Sequence, residues 1–186
     1  MSSSSSPPIP QTMRAWQYSS TAGGIEKNLA INDAVPLPTL SSRLGDAELL
    51  VRVLAASLNP ADYKAPELGL VARAVFRTPA TPGMDFCGRV VQTTQTVDDF
   101  AIGDLVFGRL GPQQHGTMGE YIVAPTKACA RVPDGVSVDD AAAIGVAGIT
   151  AYRRFFSFCL CVSLLAHDGT KCQAGTTVRT GVGLVL

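Results

Sequence analysis

Apolar positions fall in short runs separated by turn residues, and the spacing of those runs changes once along the chain. MRAWQYS, residues 13–19, predicts a first strand with Trp16 and Tyr18 on one side, broken at Ala22-Gly23-Gly24. Leu29–Asn32 predicts a short second strand, followed by a proline-containing extended connector over residues 35–42. ELLVRVLAASL, residues 48–58, is dense in apolar and β-branched residues, and Asn59-Pro60 ends it because proline removes a ladder donor. A helical turn is expected from Ala61 and a second helical piece over residues 67–76. Further strands are expected at 87–94, 104–110, 120–124 and 128–132, separated by Asp98-Asp99, Gly111-Pro112, Pro125 and Pro133-Asp134-Gly135. Short strands at this spacing suggest a small barrel or sandwich.

At Ser137 the period becomes helical. Ser137 stands at the N-cap position, Asp139 and Asp140 suit the helix dipole, and AAAIGVAGITAY continues as a small-residue helix. After Arg154 the pattern loses both strand alternation and a polar helical face. The expected division is a disordered Ser/Pro lead-in over 1–12, one domain with its connecting helix over 13–152, and an atypical tail over 153–186.

A chain of 186 residues suffices for one ordinary domain, and 46% hydrophobic against 16% charged residues allows a packed core. Lys plus Arg equal Asp plus Glu at 15 each, scattered without a patch, which argues against nucleic-acid binding. The longest charge-free apolar run, residues 155–166, is shorter than the roughly 20 residues of a bilayer span. No secretory signal is expected in MSSSSSPPIPQ, and a soluble cytoplasmic protein is the default. The five cysteines, Cys87, Cys129, Cys159, Cys161 and Cys172, lack zinc-clip spacing and read as free thiols. His115 and His167 support no nucleophile–histidine triad.

Three motifs carry candidate chemistry. Asn59-Pro60-Ala61-Asp62-Tyr63-Lys64 places three polar side chains on a proline-fixed turn. Asn59 has both donor and acceptor, Lys64 suits a proton or a phosphate, and Asp62 could orient either. A capped turn, with Asn59 or Asp62 bonded to local backbone, is the competing reading. Thr81–Gly88 (TPGMDFCG) reads as a scaffold loop, and Gly148-Ile149-Thr150-Ala151-Tyr152 as part of the helix.

These segments, with Gly116–Tyr121 (GTMGEY), resemble the NPxDxK, PGxE/D, GxxAEY and GxTAY patterns of the medium-chain dehydrogenase/reductase superfamily, in its zinc-free quinone/enoyl reductase branch. The resemblance covers about 13–154 and implies a mainly β fold with short helices: a GroES-like partial barrel of the alcohol dehydrogenase catalytic-domain type, followed by a helix and an irregular tail. Zinc alcohol dehydrogenases carry His at the place of Met84 and Cys at the place of Asn59, so no metal site is expected. The resemblance implies NADPH as cofactor, held by Asn59, Lys64 and Thr150. It also implies Lys64 and Asp62 as catalytic residues, and hydride transfer to a conjugated carbonyl or quinone. The family's nucleotide-binding domain follows the TAY segment, and Gly181-Val182-Gly183 does not supply its fingerprint. The expectation is therefore a shortened reductase with weak or no activity alone. The alternative is a non-catalytic interaction or regulatory subunit that forms homo- or hetero-oligomers with full-length relatives.

Overall fold

The structure is a computed structural model that describes residues 8–43, 45–69, 72, 76–111, 114 and 116–155. Its described strands form two sheets. β1 (Thr12–Tyr18) and β2 (Leu29–Pro36) pair antiparallel as a two-stranded sheet. β3 (Glu48–Ser57), β4 (Asp85–Thr93), β5 (Leu105–Arg109), β6 (Tyr121–Pro125) and β7 (Cys129–Arg131) form a five-stranded antiparallel sheet in the order β6-β3-β4-β5-β7. The expected mainly β GroES-like fold is present, and the described strands do not close into a barrel.

β3 and β4 form the sheet centre because both are apolar enough to be covered. Leu49 and Val51 of β3 and Phe86 and Val90 of β4 are fully buried with Val106, Leu110, Ile122 and Ala124 in one core. Gly88 is needed where β4 approaches β3: a Cβ there would lie 2.6 Å from Val51 Cγ1 and 3.0 Å from the Arg52 carbonyl carbon. A smaller core of Met13, Ala15 and Val35 packs the two-stranded sheet against Tyr121. Glu120 fastens that sheet to the larger one, accepting from the Arg14 backbone N–H at 2.9 Å and from its Nε and Nη2 at 3.0 and 2.8 Å.

The helical segments are short. α1 (Pro60–Lys64) follows β3 directly, and α2 (Val138–Ala143) begins as expected at Ser137, whose Oγ accepts from the Asp140 N–H at 3.1 Å. Residues 144–148 form a π-turn, and residues 149–155 continue as α-helix. Ala141 and Ala142 pack α2 against Cys87 of β4, where the small side chains admit close contact.

Of the helical piece expected over 67–76, residues 67–69 form turns instead, and half of the segment lies outside the described residues; the Phe76 N–H donates to the Ala72 carbonyl at 2.7 Å. His115, His167, Cys159, Cys161, Cys172, the start of the lead-in and the tail from residue 156 also lie outside them. Among the described residues no helix is long and apolar enough to cross a membrane.

Candidate active site

The cleft is built where three segments meet at one end of the large sheet. β4 begins at Asp85, which is opposite Ser57, the last residue of β3, and opposite Arg109, the last residue of β5. α1 starts three residues after Ser57. Asn59 is extended at its N-cap and Pro60 occupies the first turn, where a missing N–H is tolerated. The turn is closed by Asp62, whose Oδ2 accepts from the Asn59 N–H at 2.6 Å, while the Asp62 N–H donates to the Asn59 carbonyl at 2.9 Å. This is the capping arrangement that competed with the catalytic reading of the motif, and it holds both residues in place.

Asp85 is the centre of the arrangement. It is fully buried, and its Oδ2 accepts from Asn59 Nδ2 at 2.9 Å, from the Val146 N–H at 2.8 Å and from Ser57 Oγ at 3.3 Å. One carboxylate oxygen thus joins the end of β3, the cap of α1 and the π-turn after α2. The turn is wide at the place where the Val146 N–H donates sideways to a side chain, a recognised cause of such widening. Gly145 makes room for it: a Cβ at that position would overlap Asp85 Oδ1 and lie 2.5 Å from Cγ. Burial raises the Asp85 pKa, and the three donors oppose the shift.

Beside this junction a cleft of about 710 Å³ opens between Tyr18 of β1, Asp62 of α1, the segment 76–84 and Arg109. Asp62 is 7% exposed, its Oδ2 is held by Asn59, and its buried Oδ1 has no hydrogen-bond partner among the described residues. Burial pushes its carboxyl up to about 6, opposed by the Asn59 N–H and raised further by the nearby Asp85 charge. Burial also raises the Tyr18 phenol, which therefore stays protonated at neutral pH. Met84 is half-buried on the cleft wall, with Arg109 Nη2 at 3.9 Å from its sulfur.

The expected site residues are divided by the fold. Asn59 and Asp62 are brought together with Asp85, and Asp62 reaches the cleft. Lys64 is exposed with Nζ 6.0 Å from the Tyr63 ring centre, Thr150 is exposed on the helix after the π-turn, and neither lines the cleft. Asp85, Arg77 and Arg109 were not singled out from sequence. The sequence signals for Asp85 are its place as the acid of the PGxE/D pattern and at the head of the apolar run DFCGRVV, while its partners are 26, 28 and 61 positions away. Among the described residues no three His, Cys, Asp or Glu side chains converge as metal ligands. Cys87 and Cys129 are free thiols pushed by burial to about 11 and about 12, so both stay protonated and unreactive at neutral pH.

Residues 45–134 match the alcohol dehydrogenase GroES-like domain. Over 151 residues the chain is 45% identical to the trans-enoyl reductase pgmF of Aspergillus terreus, covering 78% of this chain and 42% of that protein. It is 32% identical over 149 residues to the NADPH-dependent alkenal/one oxidoreductase, chloroplastic, of Arabidopsis thaliana, covering 77% and 37%. Its fold is similar to that of the quinone oxidoreductase from Coxiella burnetii, with TM-score 0.68, 32% identity and coverage of 78% and 44%. The chain spans about two fifths of the length of the curated relatives it matches. The sequence motifs, the sheet order and these likenesses agree: the chain belongs to the alcohol dehydrogenase GroES-like domain family of the medium-chain dehydrogenase/reductase superfamily, and is similar to the corresponding part of that superfamily's quinone and enoyl reductases.

Proposed function

We propose that this domain forms the substrate side of an NADPH-dependent reductase acting on a conjugated carbonyl or a quinone. The observation that carries the reading is Asp62, a buried carboxyl in the cleft with one oxygen unpartnered and its pKa pushed up to about 6. The relatives support the substrate class, since their names include an enoyl reductase, an alkenal/one oxidoreductase and a quinone oxidoreductase.

NADPH, when bound, supplies a hydride. The chain's donors suit that group: among the described residues the Lys64 ammonium has no ion pair, as a phosphate contact requires, and the exposed Thr150 hydroxyl suits a carboxamide. Asn59, the third expected cofactor residue, has its Nδ2 committed to Asp85 and acts chiefly by fixing Asp62.

Reduction of a conjugated acceptor, at its β-carbon or on the ring of a quinone, would place negative charge on its oxygen. Asp62 holds a proton at Oδ1 and donates it to that oxygen, and solvent returns a proton to the carboxylate. The hydrogen bond from Asn59 occupies Oδ2 and leaves the buried Oδ1 as the oxygen without a partner among the described residues.

The test is NADPH oxidation by the purified protein with a neutral enone across pH 5 to 8, for wild type and Asp62→Asn. The wild-type kcat is expected to fall as pH rises through about 6, and the variant to lose that limb and about 100-fold or more in rate. An Asp62→Asn protein with the wild-type rate and pH profile would falsify the assignment.

A further inference from the structure

The cleft contains cationic side chains to which the proposed chemistry assigns no substrate contact. Among the described residues its charged lining is one acid, Asp62, against two guanidiniums, Arg77 and Arg109. Asp62 is buried and directed to Asn59 through Oδ2. Both arginines are exposed, and neither forms an ion pair among the described residues; the Arg109 charge acts weakly on Asp62 and Asp85, and its Nη2 lies 3.9 Å from Met84 sulfur. Elsewhere in the large sheet Arg131 is paired with Asp104 at 3.0 Å, and Arg89 donates to the Gly103 carbonyl at 2.7 Å. The described lining of the cleft itself carries more positive than negative charge.

The wall between the charges is apolar, with Phe76, Pro79 and Met84 facing a space of about 710 Å³, large enough for a small planar molecule. We infer that the cleft takes a conjugated acceptor bearing a carboxylate, with its unsaturated body against the apolar wall and its carboxylate on Arg77 and Arg109. A guanidinium meets a carboxylate with two parallel N–H donors, which fixes orientation as well as charge. The carboxylate end is thereby held on the arginine side, and the reactive end is directed toward Asp62. This inference rests on the proposed reductase reading, because it names the substrate class of the same cleft.

The experiment is calorimetric titration of the full chain with sorbate, a conjugated dienoate, and with its neutral amide, which has the same shape without the charge. Sorbate is expected to bind at least about tenfold more tightly than the amide, the effect of roughly one charge-assisted contact. The preference should weaken in high salt, because both arginines are exposed. R77Q and R109Q should each lower sorbate affinity while leaving the amide unchanged, and the double variant should abolish the preference. Equal binding of the two probes, no binding of either, or displacement of sorbate by lower concentrations of inorganic pyrophosphate would overturn the inference. The last result would assign the arginines to a phosphate. Binding is read without NADPH or turnover, so a carboxylate preference in a protein that fails to oxidise NADPH would count against the reductase reading alone.

Discussion

Replacing Gly145 by alanine probes the contact between the π-turn and β4. In an ordinary helix interior the change would stabilise the protein by roughly 1 kcal/mol. Here the new methyl would overlap Asp85 Oδ1 and lie 2.5 Å from Cγ and 3.0 Å from Oδ2. Asp85 cannot swing aside freely, because it is fully buried and its Oδ2 holds Asn59, Val146 and Ser57. Either the helix lifts from the sheet or these bonds lengthen. Losing one or two hydrogen bonds to a buried carboxylate, each worth about 1.5–3 kcal/mol, outweighs the propensity gain and leaves a net destabilisation of about 2–4 kcal/mol. Urea unfolding followed by the fluorescence of Trp16, the chain's one tryptophan, reads the change. The same substitution in an Asp85→Ala background, where the obstructing atoms are gone, should be neutral or stabilising, a coupling of about 3 kcal/mol. Equal losses in the two backgrounds would show that the carboxylate is not the obstacle.

Other variants test separate parts of the structure. Asp62 has a folded pKa raised from 3.8 to about 6, so its contribution to stability is fully present below about 3.8 and is lost as pH rises through about 6. Asp62→Asn should therefore gain on wild type between pH 4 and 7, by up to about 3 kcal/mol, in paired urea titrations at the two pH values. A constant difference between the proteins would contradict the burial argument. Phe86→Ala, at the fully buried centre of the main core, should lower unfolding stability by about 3–5 kcal/mol without moving the cleft residues. Ser137→Ala removes the acceptor of the Asp140 N–H and should lower stability by about 1 kcal/mol in thermal unfolding, with Ser137→Asp restoring most of it.

Much of the sheet could be read from residues because its strands are apolar runs between turn residues. β3, β4, β5 and β6 each lie within two residues of the expected bounds at either end. β2 runs to Pro36, past the expected end at Asn32; residues 30–34 are exposed, so pairing with β1 rather than burial maintains the strand. The site was legible only in part. Asn59 and Asp62 stand in one local motif, and their reciprocal capping follows from spacing. Asp85 joins residues from β3, the α1 cap and the π-turn, a link that no local pattern contains. Arg77 and Arg109 gain their meaning from sharing a cleft wall, which requires the third dimension. Met84-Asp85 was read together as scaffold; that description suits the loop, but the acid within it organises the cleft.

The π-turn at residues 144–148 has a geometric effect on everything after it. One residue added to a helical turn steps the following side chains around the axis by roughly 100°. The small-residue periodicity begun at Ser137 is therefore out of phase beyond Gly148, and residues 149–155 project in directions that an uninterrupted α-helix would not give them. Thr150 is among them. The compass bearing of its hydroxyl is set by a carboxylate at the head of β4, 65 positions earlier in the chain.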